Sequence, residues 1–240
     1  HQRADVLARR PAGQFRLYSK DDLLLKEVSN KLPPSLAARQ VTDRLLAFGR
    51  AKYFRTLELS SRNVPLDMRI KLIEYDQSRD KVIRDIPIAS RMAPDGQLRL
   101  KEGDVFQIEV TNLGEKSAYF TVLDIQPDNQ INQLVPGTGE QPSDFRVGPG
   151  QSVVVPTKFE VVPPYGTEVF KLVGTDEPID LSPIINSRGG QTRDASPSPF
   201  EKLYQQTYQK DKNATRGGKT ISLSPTNLHV QSMSFVIEKK

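Results

Sequence analysis

The chain has 240 residues, 36% of them hydrophobic and 7% aromatic, which suffices for a sizeable core, while 18 Pro and 15 Gly point to many turns. It has no cysteine, which excludes disulfides, a thiolate nucleophile and Cys-ligated metal, and no apolar run approaches the roughly 18–20 residues of a membrane helix. The net charge of +5 is uneven: residues 101–182 hold 5 Lys and Arg against 13 Asp and Glu, a local −8 that leaves +13 to the flanks.

Three short runs open the chain, Ala4–Arg9, Gln14–Tyr18 and Leu23–Val28, separated by Pro11-Ala12-Gly13 and Lys20-Asp21-Asp22. That spacing predicts a β-meander, with Val6, Leu7, Phe15, Leu17, Leu23 and Leu25 as its core. Pro33-Pro34-Ser35 ends the extended chain, and Ser35 is the expected N-cap of a helix from Leu36 to about Phe54. Ala37, Val41, Leu45, Phe48 and Lys52 fall near one stripe of that helix. Met68–Tyr75 alternates strictly and reads as a strand; Lys81–Ile88 is a weaker one, placed at an edge or its end by Pro87. Pro94-Asp95-Gly96 is a turn.

Residues 101–137 give the clearest pattern. Gly103-Asp104 opens a strand in which Phe106, Ile108 and Val110 face one way and Val105, Gln107 and Glu109 the other. Asn112-Leu113-Gly114 turns into Ala118–Ile125, and Pro127-Asp128-Asn129 turns into a third strand, Gln130–Val135. A polar loop, Thr138–Val147, precedes one or two strands around Pro156 within Ser152–Val162, and Glu168–Val173 alternates again. Ser182–Pro199 reads as a linker or long loop, Phe200 to about Tyr208 as a short helix, and Thr220–Leu223 and Leu228–Glu238 as closing strands.

Strands of this length with turns every 8–12 residues predict a mainly β chain. The expected fold is an antiparallel β-sandwich, immunoglobulin-like in general architecture, with one amphipathic helix inserted early and a short helix near the C-terminus. The expected divisions are 1–96, an N-terminal meander with helix and strand, packed on or continuous with the next; 97–181, the sandwich core module; and 182–240, linker, short helix and closing strand.

Chemistry is sparse. Only His1 and His229 are available as imidazoles, no Gly-x-Ser-x-Gly elbow exists, and His229 lies in an alternating strand where a structural role is expected. Ser187–Gly190 and Arg216–Lys219 are Gly-rich but lack the strand–helix context of a phosphate loop. Asn213-Ala214-Thr215 has the form of a glycosylation sequon. Asp124, Asp128 and Asp144 are of the type that ligates Ca²⁺ in loops, although Pro127-Asp128-Asn129 is equally explained as a β-turn. The reading is therefore a non-enzyme with no catalytic residue, cofactor or metal. Basic residues are scattered without an aromatic-interleaved stripe, so nucleic acid is not an expected partner. His1–Arg10 lacks the apolar core of a signal peptide, and the missing initiator Met reads as a fragment or processed form. The compartment, envelope or cytoplasm, is left open.

Several motifs together resemble a known family. They are Leu100–Val105, Tyr119–Asp128, Ile131–Pro136, Gly150–Pro156 and Val162–Glu168, with Ala51–Leu59 ahead of them. Over residues 97–180 this order is similar to the domain of unknown function that follows the caspase-like (metacaspase-type) protease domain in bacterial proteins. The resemblance implies a non-catalytic accessory module whose partner is an upstream caspase-like protease domain or its substrates. A second reading is an extracytoplasmic β-sandwich that binds carbohydrate or another envelope ligand, with Tyr119, Tyr165 and Phe145 as an aromatic platform. The expected partner surface is Gln107, Glu109, Thr111 and Thr121 with Asp144 and Phe145 of the adjoining loop.

Overall fold

Alternation of apolar and polar residues gives each long strand one row to bury, and two sheets meet face to face to bury those rows. The computed structural model describes residues 5–11, 14–19, 24–182, 185 and 227–240. Leu23, the short helix expected at 200–208, the strand at 220–223, the Gly-rich segments, the sequon and nearly all of the expected linker lie outside the described residues. Strands β1 (Val6–Arg9), β2 (Phe15–Ser19) and β3 (Leu24–Val28) form a small antiparallel sheet in that order. Its buried apolar side chains are Leu17, Leu25 and Val28. Helix α1 (Pro34–Thr56) follows.

The outer sheet is built from β4 (Leu66–Asp76), β5 (Lys81–Asp85), β7 (Val105–Asn112), β11 (Ser152–Val154) and β12 (Phe159–Glu160), in the order β11-β7-β4-β5 with β12 also on β7. The middle sheet takes β6 (Leu98–Lys101), β8 (Ala118–Ile125), β9 (Ile131–Val135), β10 (Arg146–Val147), β13 (Gly166–Thr175) and β14 (Leu228–Glu238). Its order is β10-β8-β13-β14-β6, with β9 also on β8; β14 runs parallel to β6 and the other pairs are antiparallel. The mainly β, sandwich architecture read from the sequence is the one observed.

The core lies between the sheets, where Met68, Ile70, Phe106, Ile108, Phe170 and Leu172 interdigitate. Gly174 admits Leu66 here: a Cβ at that position would stand 2.7 Å from Leu66 Cδ1. The opposite face of the middle sheet is buried too. Leu123, Ile125, Val169, Val173 and Val230 are covered by Ala51 and Phe54 of α1. The layers are therefore helix, middle sheet, outer sheet.

Two expectations are corrected. The helix starts at Pro34 after Pro33, which makes no side-chain cap, so Ser35 lies inside the first turn. Its buried residues are Ala51 and Phe54, whereas Leu45 is 42% exposed and Lys52 is paired in solvent with Asp5 at 2.7 Å. Helix α1 divides its contacts between β3 and the strands β8 and β13, so no single stripe runs its length. The sandwich draws strands from both flanks of 97–181: β4 pairs along nearly all of β7, and β14 along all of β13.

Candidate functional site

An acidic residue stands on each of two otherwise apolar rows. On β8 the inward row runs Phe120, Val122, Asp124, and on β13 it runs Leu172, Phe170, Glu168. The register sets Phe170 opposite Asp124, so Asp124 and Glu168 are diagonal neighbours on one face. Both are buried, at 4% and 8% exposure. They line a cleft of about 260 Å³ between the sheets, walled by Phe106, Leu134, Phe159, Val162, Phe170 and Phe235. Phe106 and Phe159 stack at 5.5 Å, and Phe170 meets Phe235 edge-on at 4.8 Å.

The two carboxyls share one proton at neutral pH. Burial, reinforced by the Asp124 charge, pushes Glu168 up to about 9. Burial also pushes Asp124 up to about 6, opposed by hydrogen bonds from Glu168 and Asn132 and by the charge of Arg55. Asn132 Nδ2 donates to Asp124 Oδ2 at 3.4 Å, while Oδ1 is buried with no N–H directed at it. A proton on Glu168 is the donor that Oδ1 can accept. Arg55 stands behind the pair but commits its guanidinium elsewhere: Nη2 donates to Ile125 O at 3.1 Å and Gln126 O at 2.6 Å, and Nε to Asn129 Oδ1 at 3.2 Å. Asn129 has φ +65°, the left-handed conformation that asparagine tolerates in the expected turn.

A second polar cluster is closed. The fully buried Lys171 ammonium donates to Leu57 O at 2.7 Å, to Glu58 Oε1 at 3.1 Å and to Ser232 Oγ, and Ser232 also hydrogen-bonds Glu58. Three protons meet three acceptors, so the lysine ties the end of α1 to β13 and β14. Desolvation lowers its pKa and Glu58 opposes the shift.

The six residues expected as a partner surface do not come together. Gln107, Glu109 and Thr111 sit on the outward row of β7, where Gln107 Nε2 donates to Val155 O at 3.1 Å and Thr111 Oγ1 meets Ser152 Oγ at 2.7 Å. Thr121 is on β8 of the other sheet and is 5% exposed. Phe145 is buried edge-on against Phe120 at 5.7 Å, and Asp144 is exposed in the 3₁₀ turn Pro142–Asp144. Asp124 lies in a strand, not a loop, and Asp128 accepts the Gln130 N–H at 2.9 Å as a turn residue does. Among the described residues no group of three or more His, Cys, Asp or Glu is placed to hold a metal. His229 is half-buried on β14, which lowers its pKa.

The cleft can be located against known families. Residues 99–178 match the family model of a domain of unknown function, DUF4384. The matched segment supplies both carboxyls and Phe106, Phe159 and Phe170, whereas Phe235 comes from outside it. No curated protein matches the chain. A solved structure described as the ApaA protein from Bordetella pertussis is 13% identical, with a TM-score of 0.26 over 48% of this chain and 83% of that one. That likeness is too distant to define fold or function.

Proposed function

We propose that the chain is a non-catalytic interaction module, accessory to a bacterial caspase-like protease, which it regulates or supplies with partners. The observation that carries the binding role is the cleft. It is concave, mostly apolar and carries convergent carboxyls, the make-up of a recognition pocket. Its lining contains no hydroxyl, imidazole or amine. The protease association rests on the sequence resemblance over 97–180, a span that overlaps the matched family segment. The carbohydrate reading has weaker support, because Phe145 is buried and Tyr119 half-buried, which leaves Tyr165, at 40% exposure, as the open ring of that platform.

The test is calorimetric titration of the chain with the caspase-like domain encoded in the same reading frame, together with that domain's peptidase activity. Saturable binding and an altered rate are expected. A reading frame without such a domain, or one whose domain neither binds nor responds, ends the accessory role.

A further inference from the structure

We propose that the cleft between the two sheets binds a primary-amine cation carried on an apolar stem, with Asp124 and Glu168 as its acceptors. The assignment rests on reading the chain as a binding module and is independent of the protease partner. Asp124 is 4% exposed, lines the cleft, and presents Oδ1 without an N–H partner. Buried carboxylate oxygens are normally satisfied, and the donor this one has is the exchangeable proton of Glu168, which a ligand's ammonium can displace. Among the described residues neither carboxyl forms an ion pair, and the closest cation, Arg55, has spent its hydrogen bonds on Ile125, Gln126 and Asn129.

The free acceptors number one Asp124 oxygen and the Glu168 carboxyl, since Asp124 Oδ2 already takes Asn132. A compact ammonium with three donors can bridge acceptors on two separate carboxyls, whereas a planar guanidinium docks its fork on a single carboxylate. The apolar part of the lining, Phe106, Leu134, Phe159, Val162, Phe170 and Phe235, accommodates an alkyl stem. On binding, the ammonium replaces the shared proton, which leaves Glu168 for solvent. The other charged groups around the pair are Arg55 of α1, Asp128 of the turn and Glu160 on the rim.

The experiment titrates the 240-residue chain with n-hexylamine and with hexan-1-ol, in buffers of different ionisation enthalpy. The proposal expects amine binding in clear preference to the alcohol, with release of close to one proton per amine near pH 7.5. Affinity should fall as the pH is lowered from 7 to 5, because Asp124 takes up a proton. Asp124→Asn should weaken binding by about tenfold or more while leaving the fold intact, and Glu168→Gln should abolish proton release. Equal affinity for alcohol and amine, or amine binding unchanged in Asp124→Asn, overturns the proposal. A parallel arm compares an acetylated, amidated Lys peptide with its norleucine counterpart. Selective binding of the Lys peptide identifies a partner's side chain as the ligand source; binding of hexylamine alone identifies a free amine. If neither amine binds but a caspase-like domain does, the cleft assignment falls and the module reading stands.

Discussion

Asp124 and Glu168 occupy positions where an apolar residue would pack, and the energetic consequence has a definite sign. Their folded pKa values are raised by burial to about 6 and about 9, whereas an unfolded chain releases these protons near 4. The protonated pair therefore contributes stability that is complete in acid and is lost as pH climbs towards 9. Where one proton separates the two states the slope approaches 1.4 kcal/mol per pH unit, an order-of-magnitude figure. Urea unfolding at pH 5 and pH 8.5 should show the decline in the native protein, and Glu168→Gln should flatten it and gain stability at the higher pH. A native protein equally stable at both values would show that the pair does not retain a proton. Asp104 behaves oppositely. Burial disfavours its charge, but a two-pronged contact from Arg91 at 2.8 and 2.9 Å and the Lys101 N–H at 2.8 Å hold its pKa below the ordinary value, so its contribution is lost on acidification. Lys171→Met keeps the volume but orphans Leu57 O, and should cost about 1–3 kcal/mol by denaturant titration. Gly103-Asp104 was legible in the sequence as the start of a strand, but its arginine partner was not, because nothing local links positions 91 and 104.

Strands β7, β8 and β14 stand where alternation and turn residues put them, since each has one row that must be buried and a period of two reveals it. Helix α1 was legible in extent and misread in face. Its apolar residues are spread around the axis because it serves two neighbours, and the side chains buried on the middle sheet, Ala51 and Phe54, belong to its last turns. Phe54→Ala should cost about 3–5 kcal/mol, the range for emptying a buried aromatic site, whereas Leu45→Ala should change stability by less than about 1 kcal/mol. Comparable thermal shifts for the two variants would contradict the assigned face. The burial of Lys171 was not legible in the sequence for a related reason. In an ordinary two-layer sandwich the row of β13 opposite the core meets water, but here α1 and residues 57–59 cover it.

At the scale of the whole molecule, the candidate cleft depends on register rather than on any single stretch. Asp124 and Glu168 meet because β8 and β13 pair across more than forty residues of sequence, and one of the four phenylalanines that line the cleft, Phe235, arrives on β14. Local pattern shows that each acid ends an apolar row; it does not show which rows adjoin. The same long-range pairing makes the central segment dependent on its flanks. Residues 97–181 expressed alone lack β4 and β14 and expose the edges of β7 and β13, so that fragment should show no cooperative melting transition, while the full chain should melt as one unit. A sharp transition in the fragment would refute this.

The position of β14 has one more consequence. It lies between β13 and β6, yet residues 176–227 separate it from β13 along the chain. During synthesis β6, β8 and β13 emerge from the ribosome well before the strand that joins β6 to β13. The nascent chain must therefore carry an unfilled slot in its middle sheet, and productive folding awaits a late, non-local insertion of the kind that slows folding. Until then the edges of β6 and β13 that face the slot are open to any free strand of matching pattern.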